Sequence, residues 1–454
     1  MQNKLPKEIE RVTHSGPYLN FFINKDILAE EIIKINSNYG KTNLGKKRKI
    51  CIDFSAPNIG KPMHIGHIRS TIIGDSLMRI YDFLGYEPVG INYLGDIGLH
   101  IGKLIVAYEL WLDKKALKKD SVTELLRLYV KFCGEEKSEI KEGIDEEMED
   151  NEWTNKAKEK LKLLELGDKK TEKIWNEIQK ASGKGFDKIY EMLNVSFSET
   201  VGQSKFGIKG KDIVMQALEK GLAKRESDGA VYVQLDEKNP GKQSKKYILR
   251  SNETASYITY DLGAAVERFK KYKFQKMIYV TDFRQEGHFI SLFTILKLMN
   301  HDFADNLVHL KFGTVKFGNE IMATREGNII LLEDVLKKTI EKADEEIKKR
   351  KTKGDAKKVG VGAIKYIILK NEPIKDVQFS WESALNFDGN TCPYLQYSYA
   401  RASSIIKKAN KENFNKGNKK INFKKQDLEK EEIKLIKKIS EFPEIVIQAE
   451  KNLN

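Results

Sequence analysis

Cysteine is almost missing from this chain: three residues in 454, Cys51, Cys133 and Cys392, stand far apart with no C-x-x-C pair. That spacing argues against a disulfide framework and a zinc ribbon, and suits a reducing compartment. No apolar run of about 18 residues occurs, and the opening MQNKLPKEIERV lacks an apolar h-region, so neither secretion nor a membrane span is expected and the location is read as cytoplasmic. Internal repeats are also absent, which removes solenoids and propellers. Charge of one sign is in excess: 80 Lys+Arg against 66 Asp+Glu leave a formal net charge of +14. A polyanionic partner, nucleic acid first, fits that balance. At about 150 residues per domain, the length leaves room for roughly three domains and a sizeable core.

Cys51–Phe54 reads as a short strand ending in the loop Ser55-Ala56-Pro57-Asn58-Ile59-Gly60, and a helical pattern runs from near His64 to Leu84. Pro88–Tyr93 gives a second strand, followed by Gly95-Asp96-Ile97-Gly98 and a helix to about Leu112. This alternation predicts a doubly wound parallel sheet, whose ligands bind at the carboxyl ends of its strands. From Lys114 to Lys180 the chain is helical in pattern, densely charged and free of proline, and reads as an inserted helical excursion with a solvated face. The α/β pattern resumes with strands at Val231–Leu235, Tyr247–Leu249, Lys276–Val280 and Val308–Lys311, and with helices after Thr259 and His288. Residues 316–336 read as a glycine-punctuated loop leading to a strand and a helix start. Beyond about Asn390 the pattern is helical, with thirteen Lys and eight acidic residues between Ala402 and Asn454. Lys407–Lys420 reads as a basic loop.

The sharpest local signal is His64-Ile65-Gly66-His67 at a helix start, just after Pro57, Asn58, Lys61 and Pro62. Imidazoles at i and i+3 share one helix face, and the helix N-terminus adds backbone N–H donors and positive dipole. That combination suits a phosphate gaining charge in its transition state. Gly66 leaves room for a flat base to lie against the backbone. Zinc needs a third ligand and usually H-E-x-x-H, which is missing, so no metal site is expected here. The ordinary alternative is a chance tetrapeptide on a surface helix.

The tetrapeptide has company. Asp53–Leu77 (DFSAPNIGKPMHIGHIRSTIIGDSL), Tyr93–Leu104 (YLGDIGLHIGKL), Tyr257–Ala265 (YITYDLGAA), Tyr279–His288 (YVTDFRQEGH) and Thr391–Arg401 (TCPYLQYSYAR) follow one another in order. Together they closely resemble the class I aminoacyl-tRNA synthetases, specifically the arginyl-tRNA synthetases, over roughly Gly16 to Leu453. The resemblance implies a Rossmann-like, HIGH-type catalytic domain at 46–385 with its helical insertion at about 114–180. It also implies a remnant of an N-terminal tRNA-contacting domain at 1–45 and the start of a helical anticodon-binding domain at 386–454. On this reading both tRNA-binding ends are shortened: only Ser15–Asn24 represents the end of the first domain, and the last stops early at Asn454.

The same resemblance assigns roles. Arginine's guanidinium is planar, always charged and rich in donors, so its pocket should present carboxylates. Asp53 and Asp261 are the candidates, with Tyr257 as a wall and Ser55, Asn58 and Gln285 around the α-amino and carboxylate ends. Taken alone, Asp261 has the ordinary alternative of a helix N-cap, and Tyr257 reads more often as a core residue. ATP, as its Mg2+ complex, falls to Lys61, His64, Gly66 and His67, with Met322, Thr324 and Arg325 from the mobile KMSKS-like loop. The family commonly reads MSTRKG in that loop, whereas Met322–Gly327 here reads MATREG, with Ala323 and Glu326 at the serine and second basic positions. In arginyl enzymes with a weak loop a lysine just before HIGH takes over, and Lys61 holds that place; its ordinary alternative is a solvated loop lysine. His64, His67, Lys61 and Arg325 are thus the expected catalytic set, and Tyr394, Gln396, Tyr399 and Arg401 the expected tRNA contacts. The expected partners are arginine tRNA, L-arginine and ATP, with no membrane, no structural zinc and a monomeric chain. Activation in this family needs bound tRNA. Two other functions compete: a weakened paralogue or fragment that binds tRNA or a partner synthetase, and a class I synthetase for another amino acid, which would not want Asp53 and Asp261 together.

Overall fold

The described chain starts with an antiparallel hairpin, β1 (Ile9–Ser15) and β2 (Tyr18–Ile23), turned at Gly16 with φ 57°, and a helix α1 (Lys25–Ile33). The computed structural model describes residues 5–33, 35–138, 151–235, 245–317, 331–386, 389–412 and 428–453. After the hairpin come β3 (Lys49–Asp53), α2 (Ile65–Phe83), β4 (Glu87–Leu94) and α3 (Leu99–Trp111), close to the bounds expected from the sequence. The helical excursion then forms α4 (Lys114–Lys119), α5 (Ser121–Ser138), α6 (Glu152–Glu165) and α7 (Lys169–Leu193), with 139–150 outside the described residues. The remaining elements are β5 (Glu199–Gly202), α8 (Gly207–Glu219), β6 (Ala223–Arg225), β7 (Val231–Gln234), β8 (Lys245–Leu249), α9 (Tyr257–Tyr272), β9 (Lys276–Asp282), α10 (Glu286–Leu298), β10 (Leu307–Phe312), β11 (Val315–Phe317), α11 (Leu332–Lys349), α12 (Ala356–Leu369), β12 (Val377–Phe379), α13 (Trp381–Ala384), α14 (Cys392–Lys411), α15 (Lys430–Ser440) and α16 (Phe442–Asn452).

Five strands make one parallel sheet in the order β10-β9-β3-β4-β5. The chain winds outward from β3 through β4 to β5, then returns to the other side of β3 for β9 and β10. The order reverses between β3 and β9, and the crevice beyond their carboxyl ends is where a doubly wound sheet takes its ligand. Both faces of β3 are covered, which is why Ile50, Cys51 and Ile52 are apolar in succession rather than alternating with polar residues. Helix α9 covers the sheet with Ile258, Leu262 and Ala265, spaced at helical period against Met277 and Tyr279 of β9.

Two strands expected to continue this sheet do not. β7 pairs antiparallel with both β6 and β8 in a separate three-stranded sheet of order β6-β7-β8. The stretch between them, 235–244, is shorter than the dozen or so residues that a parallel crossover needs. Edge strand β5 escapes sequence reading because ETVG is four residues long and half polar.

The chain divides into two compact units, residues 48–79 with 87–396, and residues 1–47 with 80–86 and 397–454. The first holds the sheet and its helices. In the second, Phe442 packs against Tyr39 and Phe83, and Tyr81 meets Tyr86 edge-on. Of the expected basic loop, 407–411 ends α14 and 413–420 lies outside the described residues.

Candidate active site

The loop leaving β3 is the most constrained piece of backbone near the crevice. Ser55 and Ala56 hold φ 73° and 47°, a left-handed pair without glycine that persists only when its surroundings hold it. Helix α2 and strands β9 and β4 do so. Ser55 N donates to Ser70 Oγ at 2.9 Å, Ser70 Oγ donates to Val280 O of β9 at 2.6 Å, and Ala56 N donates to Asn92 Oδ1 of β4 at 3.2 Å. The Ser55 hydroxyl lies 2.8 Å from that of Tyr190 and accepts from Thr71 at 2.9 Å, while Asn92 Nδ2 donates to Tyr190 at 3.1 Å. Tyr190 belongs to α7, whose first half lies in the inserted excursion; buried Leu125, Leu128, Phe132, Leu161 and Ile178 correct the reading of that excursion as a solvated face. Asn58 is exposed, with its side chain across Gly95, and Gly60, at φ 80°, donates its N–H to Ser182 at 2.9 Å.

At the start of α2 the two histidines are locked by the backbone. His64 N donates to His67 Nδ1 at 3.1 Å, and Gly66 N donates to His64 Nδ1 at 3.0 Å. With each Nδ1 accepting, the proton of each neutral ring sits on Nε2. The rings are 4.0 Å apart. Burial, and then the charge of Lys61, lower His64 to about 4; burial, and then His64 itself, lower His67 to about 3. Both are neutral N–H donors at physiological pH. A Cβ on Gly66 would stand 2.7 Å from His64 Cε1 and 2.8 Å from Nδ1, so glycine leaves the His64 ring its place. Lys61 Nζ rests 4.4 Å above the ring of Tyr129 in α5. His64 also bridges to Leu331, and Leu332 N donates to Met63 O at 2.9 Å. The KMSKS-like stretch with Met322, Ala323, Thr324, Arg325 and Glu326 lies outside the described residues, yet the chain emerging from it lands on His64.

Opposite stands α9. Its N-cap is Ser256, which forms a capping box with Thr259, so Asp261 is no cap. Asp261 Oδ2 lies 2.6 Å from His288 Nε2 of α10. Asp53, the last residue of β3, gives Oδ2 to Arg268 Nη1 at 2.8 Å, both side chains buried. Burial outweighs Arg268 and pushes the Asp53 carboxyl up to about 6, with Asp261 a further contributor. The Arg268 guanidinium lies over the Tyr93 ring at 4.5 Å. Tyr257 is 53% exposed, unlike a core residue, and its hydroxyl lies 3.1 Å from where a Cβ on Gly98 would be. Gln285 is exposed at the start of α10.

The stretch from the end of β3 to the first turn of α2 thus carries Asp53, Ser55, Asn58, Lys61, His64 and His67, while α9 brings Asp261 and Tyr257 and the segment after β9 brings Gln285. Tyr394, Gln396, Tyr399 and Arg401 lie on α14, where Gln396 Nε2 donates to Lys358 O at 3.1 Å and Tyr399 is 77% exposed. Arg268, His288, Tyr190 and Tyr129 escape sequence reading. Arg268 had a signal, since it follows Asp261 by seven residues on one face of α9; the others are joined to the site only by folding. Among the described residues no group of three His, Cys, Asp or Glu is arranged for a metal, and no helix is long and apolar enough to cross a membrane. Chemically, the segment after β3 offers two fixed N–H donors at a helix N-terminus for anionic oxygens, and the end of β3 and α9 offer carboxylates for a cation.

Comparison with known proteins agrees with this geometry. Residues 30–381 match the family "tRNA synthetases class I (R), catalytic domain", and residues 395–454 match the "DALR anticodon binding domain". An arginine–tRNA ligase of Clostridium botulinum strain Hall is 42% identical over 419 residues, covering 90% of this chain and 72% of that protein. One from Halothermothrix orenii is 40% identical over 454 residues, covering 97% and 76%. The arginyl-tRNA synthetase of Thermus thermophilus shares the fold with a TM-score of 0.76 at 23% identity, covering 99% of this chain and 78% of that one. That of Plasmodium falciparum superposes with a TM-score of 0.74 at 26% identity, covering 99% and 76%. Sequence, sheet order and the histidine-bearing loop converge, and the chain belongs to the arginine family of class I tRNA synthetases.

Proposed function

We propose that the chain charges arginine tRNA. L-arginine and ATP, entering as its magnesium complex, condense to arginyl-adenylate and pyrophosphate, and the arginyl group then passes to the 3′-terminal ribose. The arginine carboxylate attacks the α-phosphorus and a ribose hydroxyl attacks the adenylate, so no side chain has to act as nucleophile; catalysis is positioning and charge stabilisation. His64 and His67 donate their Nε2 hydrogens to phosphate oxygens at the N-terminus of α2, and Gly66 keeps the His64 ring in place. Lys61 meets the charge that develops on the departing pyrophosphate, together with Arg325 of the loop that also carries Met322 and Thr324. Asp261 is the carboxylate that touches the guanidinium, Asp53 adds its field from beneath while shared with Arg268, and Tyr257 forms a wall. Ser55, Asn58 and Gln285 hold the amino and carboxylate ends. Tyr394, Gln396, Tyr399 and Arg401, with the +14 net charge, meet tRNA. Every residue in this scheme comes from one chain, which suits a monomer, and tRNA charging suits the cytoplasm.

The observation that carries this reading is the pair of backbone-locked imidazoles on the segment that leaves β3, beside the strand-order reversal. Aminoacylation of total tRNA with radiolabelled arginine tests it. Charging of arginine alone among the amino acids is expected. Binding of tRNA without charging would overturn it in favour of a weakened, tRNA-binding paralogue.

A further inference from the structure

The loop that carries Lys61 and the helix that carries Tyr129 rest on the same support. Gly60 N donates to Ser182 Oγ at 2.9 Å, and Ser121 Oγ at the start of α5 donates to Ala181 O at 3.0 Å, so both segments are tied to adjacent residues of α7. Helix α5 is held along the rest of its length. Phe132 is fully buried edge-on to Trp153, Thr154 Oγ1 donates to Glu136 at 2.8 Å, and Glu136 pairs with Lys103. Between these fixed points the Lys61 ammonium lies 4.4 Å over the half-buried Tyr129 ring. A long, flexible lysine gains a preferred place from such a contact, because the ring face attracts the cation without neutralising it. A carboxylate in the same position would cancel the charge that the phosphates need. The consequences of that placement are visible in the neighbours: the Lys61 charge acts on His64, on His100 and on the Cys133 thiol, which lies one turn beyond Tyr129.

We propose that Tyr129 is a positioning residue for Lys61: its ring seats the ammonium at the nucleotide end of the crevice, so that the inserted helices hold the cation that serves the pyrophosphate. This rests on the role given to Lys61 under the proposed function. A merely structural tyrosine would not act through Lys61 alone. Helix α5 is therefore more than a solvated excursion, since its ring sets where the charge waits.

The test is arginine-dependent ATP–pyrophosphate exchange with tRNA present, on the full chain and on Lys61→Ala, Tyr129→Phe, Tyr129→Leu and the double variant Lys61→Ala/Tyr129→Leu. Tyr129→Leu should lower kcat about fivefold or more with the KM for arginine within about twofold, Tyr129→Phe should stay within about twofold of the parent, and the double variant should be no slower than Lys61→Ala. Equal losses in Phe and Leu, multiplying losses in the double variant, or a silent Tyr129→Leu beside an impaired Lys61→Ala would each overturn the proposal. A silent Lys61→Ala in an active enzyme would overturn it together with the role of Lys61. A second readout needs no turnover: the Lys61 Cε proton resonance should be shifted upfield by the ring, return to the ordinary lysine position in Tyr129→Leu and stay shifted in Tyr129→Phe. An unshifted Lys61 in the parent chain would overturn the contact whatever the exchange assay shows, whereas a shifted Lys61 without arginine-dependent exchange would fault the proposed function instead.

Discussion

Arg268 closes on Asp53 at 2.8 Å beneath the crevice floor, from the same helix that carries Asp261 and seven residues after it. Two buried charges of this kind are costly to separate, because removing one leaves the other desolvated and alone. Arg268→Gln should therefore lose about 3–5 kcal/mol of stability, and the double variant Arg268→Gln/Asp53→Asn should recover part of it. The Asp53 carboxyl is raised from 3.8 in the unfolded chain to about 6 in the fold, so the folded state holds the extra proton between those values. Its contribution to stability falls as pH rises through that window. Loss of Arg268 lifts the folded value further, and the damage measured by urea unfolding should be larger at pH 8 than at pH 5.

His64 and His67 should show no titration near the ordinary histidine value of 6.5, since burial lowers them to about 4 and about 3. The unfolded chain takes up these protons first, so the stability they contribute is complete above pH 6.5 and declines as pH falls toward 4. Histidine Cε1 resonances followed against pH check this, and a midpoint near 6.5 for either ring would contradict it. Because both act as neutral donors, His64→Ala and His67→Ala should each cost about 2–4 kcal/mol of transition-state stabilisation in adenylate formation with the fold intact.

Gly66→Ala separates packing from propensity. In a helix, alanine is ordinarily preferred over glycine by about 1 kcal/mol, so the melting temperature should hold or rise slightly. Catalysis should fall about tenfold or more all the same, because the new methyl meets the His64 ring and its phosphate donor must move. Differential scanning calorimetry beside pyrophosphate exchange reads both. An active Gly66→Ala enzyme would show that the ring position is not critical.

His288 fixes one oxygen of Asp261 at 2.6 Å, and His288→Ala should loosen the carboxylate without removing its charge. The KM for arginine should rise about three- to tenfold in His288→Ala and by a factor equivalent to about 2–4 kcal/mol in Asp261→Asn, with the KM for ATP changed far less in both. Equal effects on the two substrates, measured by steady-state exchange, would remove Asp261 from the arginine pocket.

The proposed phosphate end of the site is more legible in the sequence than the proposed arginine end. His64, Gly66, His67 and Lys61 are neighbours along the chain, and their chemistry is set by local spacing at a helix start. β3 and β4 were equally legible, since a strand covered on both faces is a continuous apolar run. Asp53 was found by resemblance, but its ion pair with Arg268 was not, because the pair joins positions far apart in sequence. Tyr190 and Tyr129 illustrate the same limit: charged helical segments look solvated until the fold shows which face they bury. β7 and β8 were recognised as strands, while their partner sheet was decided by the length of the connection between them.

The claim at the centre is that a carboxylate at Asp261 selects a guanidinium. Arginine, citrulline and lysine compared in tRNA-dependent pyrophosphate exchange test it most directly, because citrulline keeps the shape of arginine and drops the charge. Arginine should exceed both by about a thousandfold or more in kcat/KM, with the margin over citrulline collapsing in Asp261→Asn. Comparable exchange with citrulline in the parent enzyme, or an arginine preference that survives Asp261→Asn unchanged, would contradict the claim.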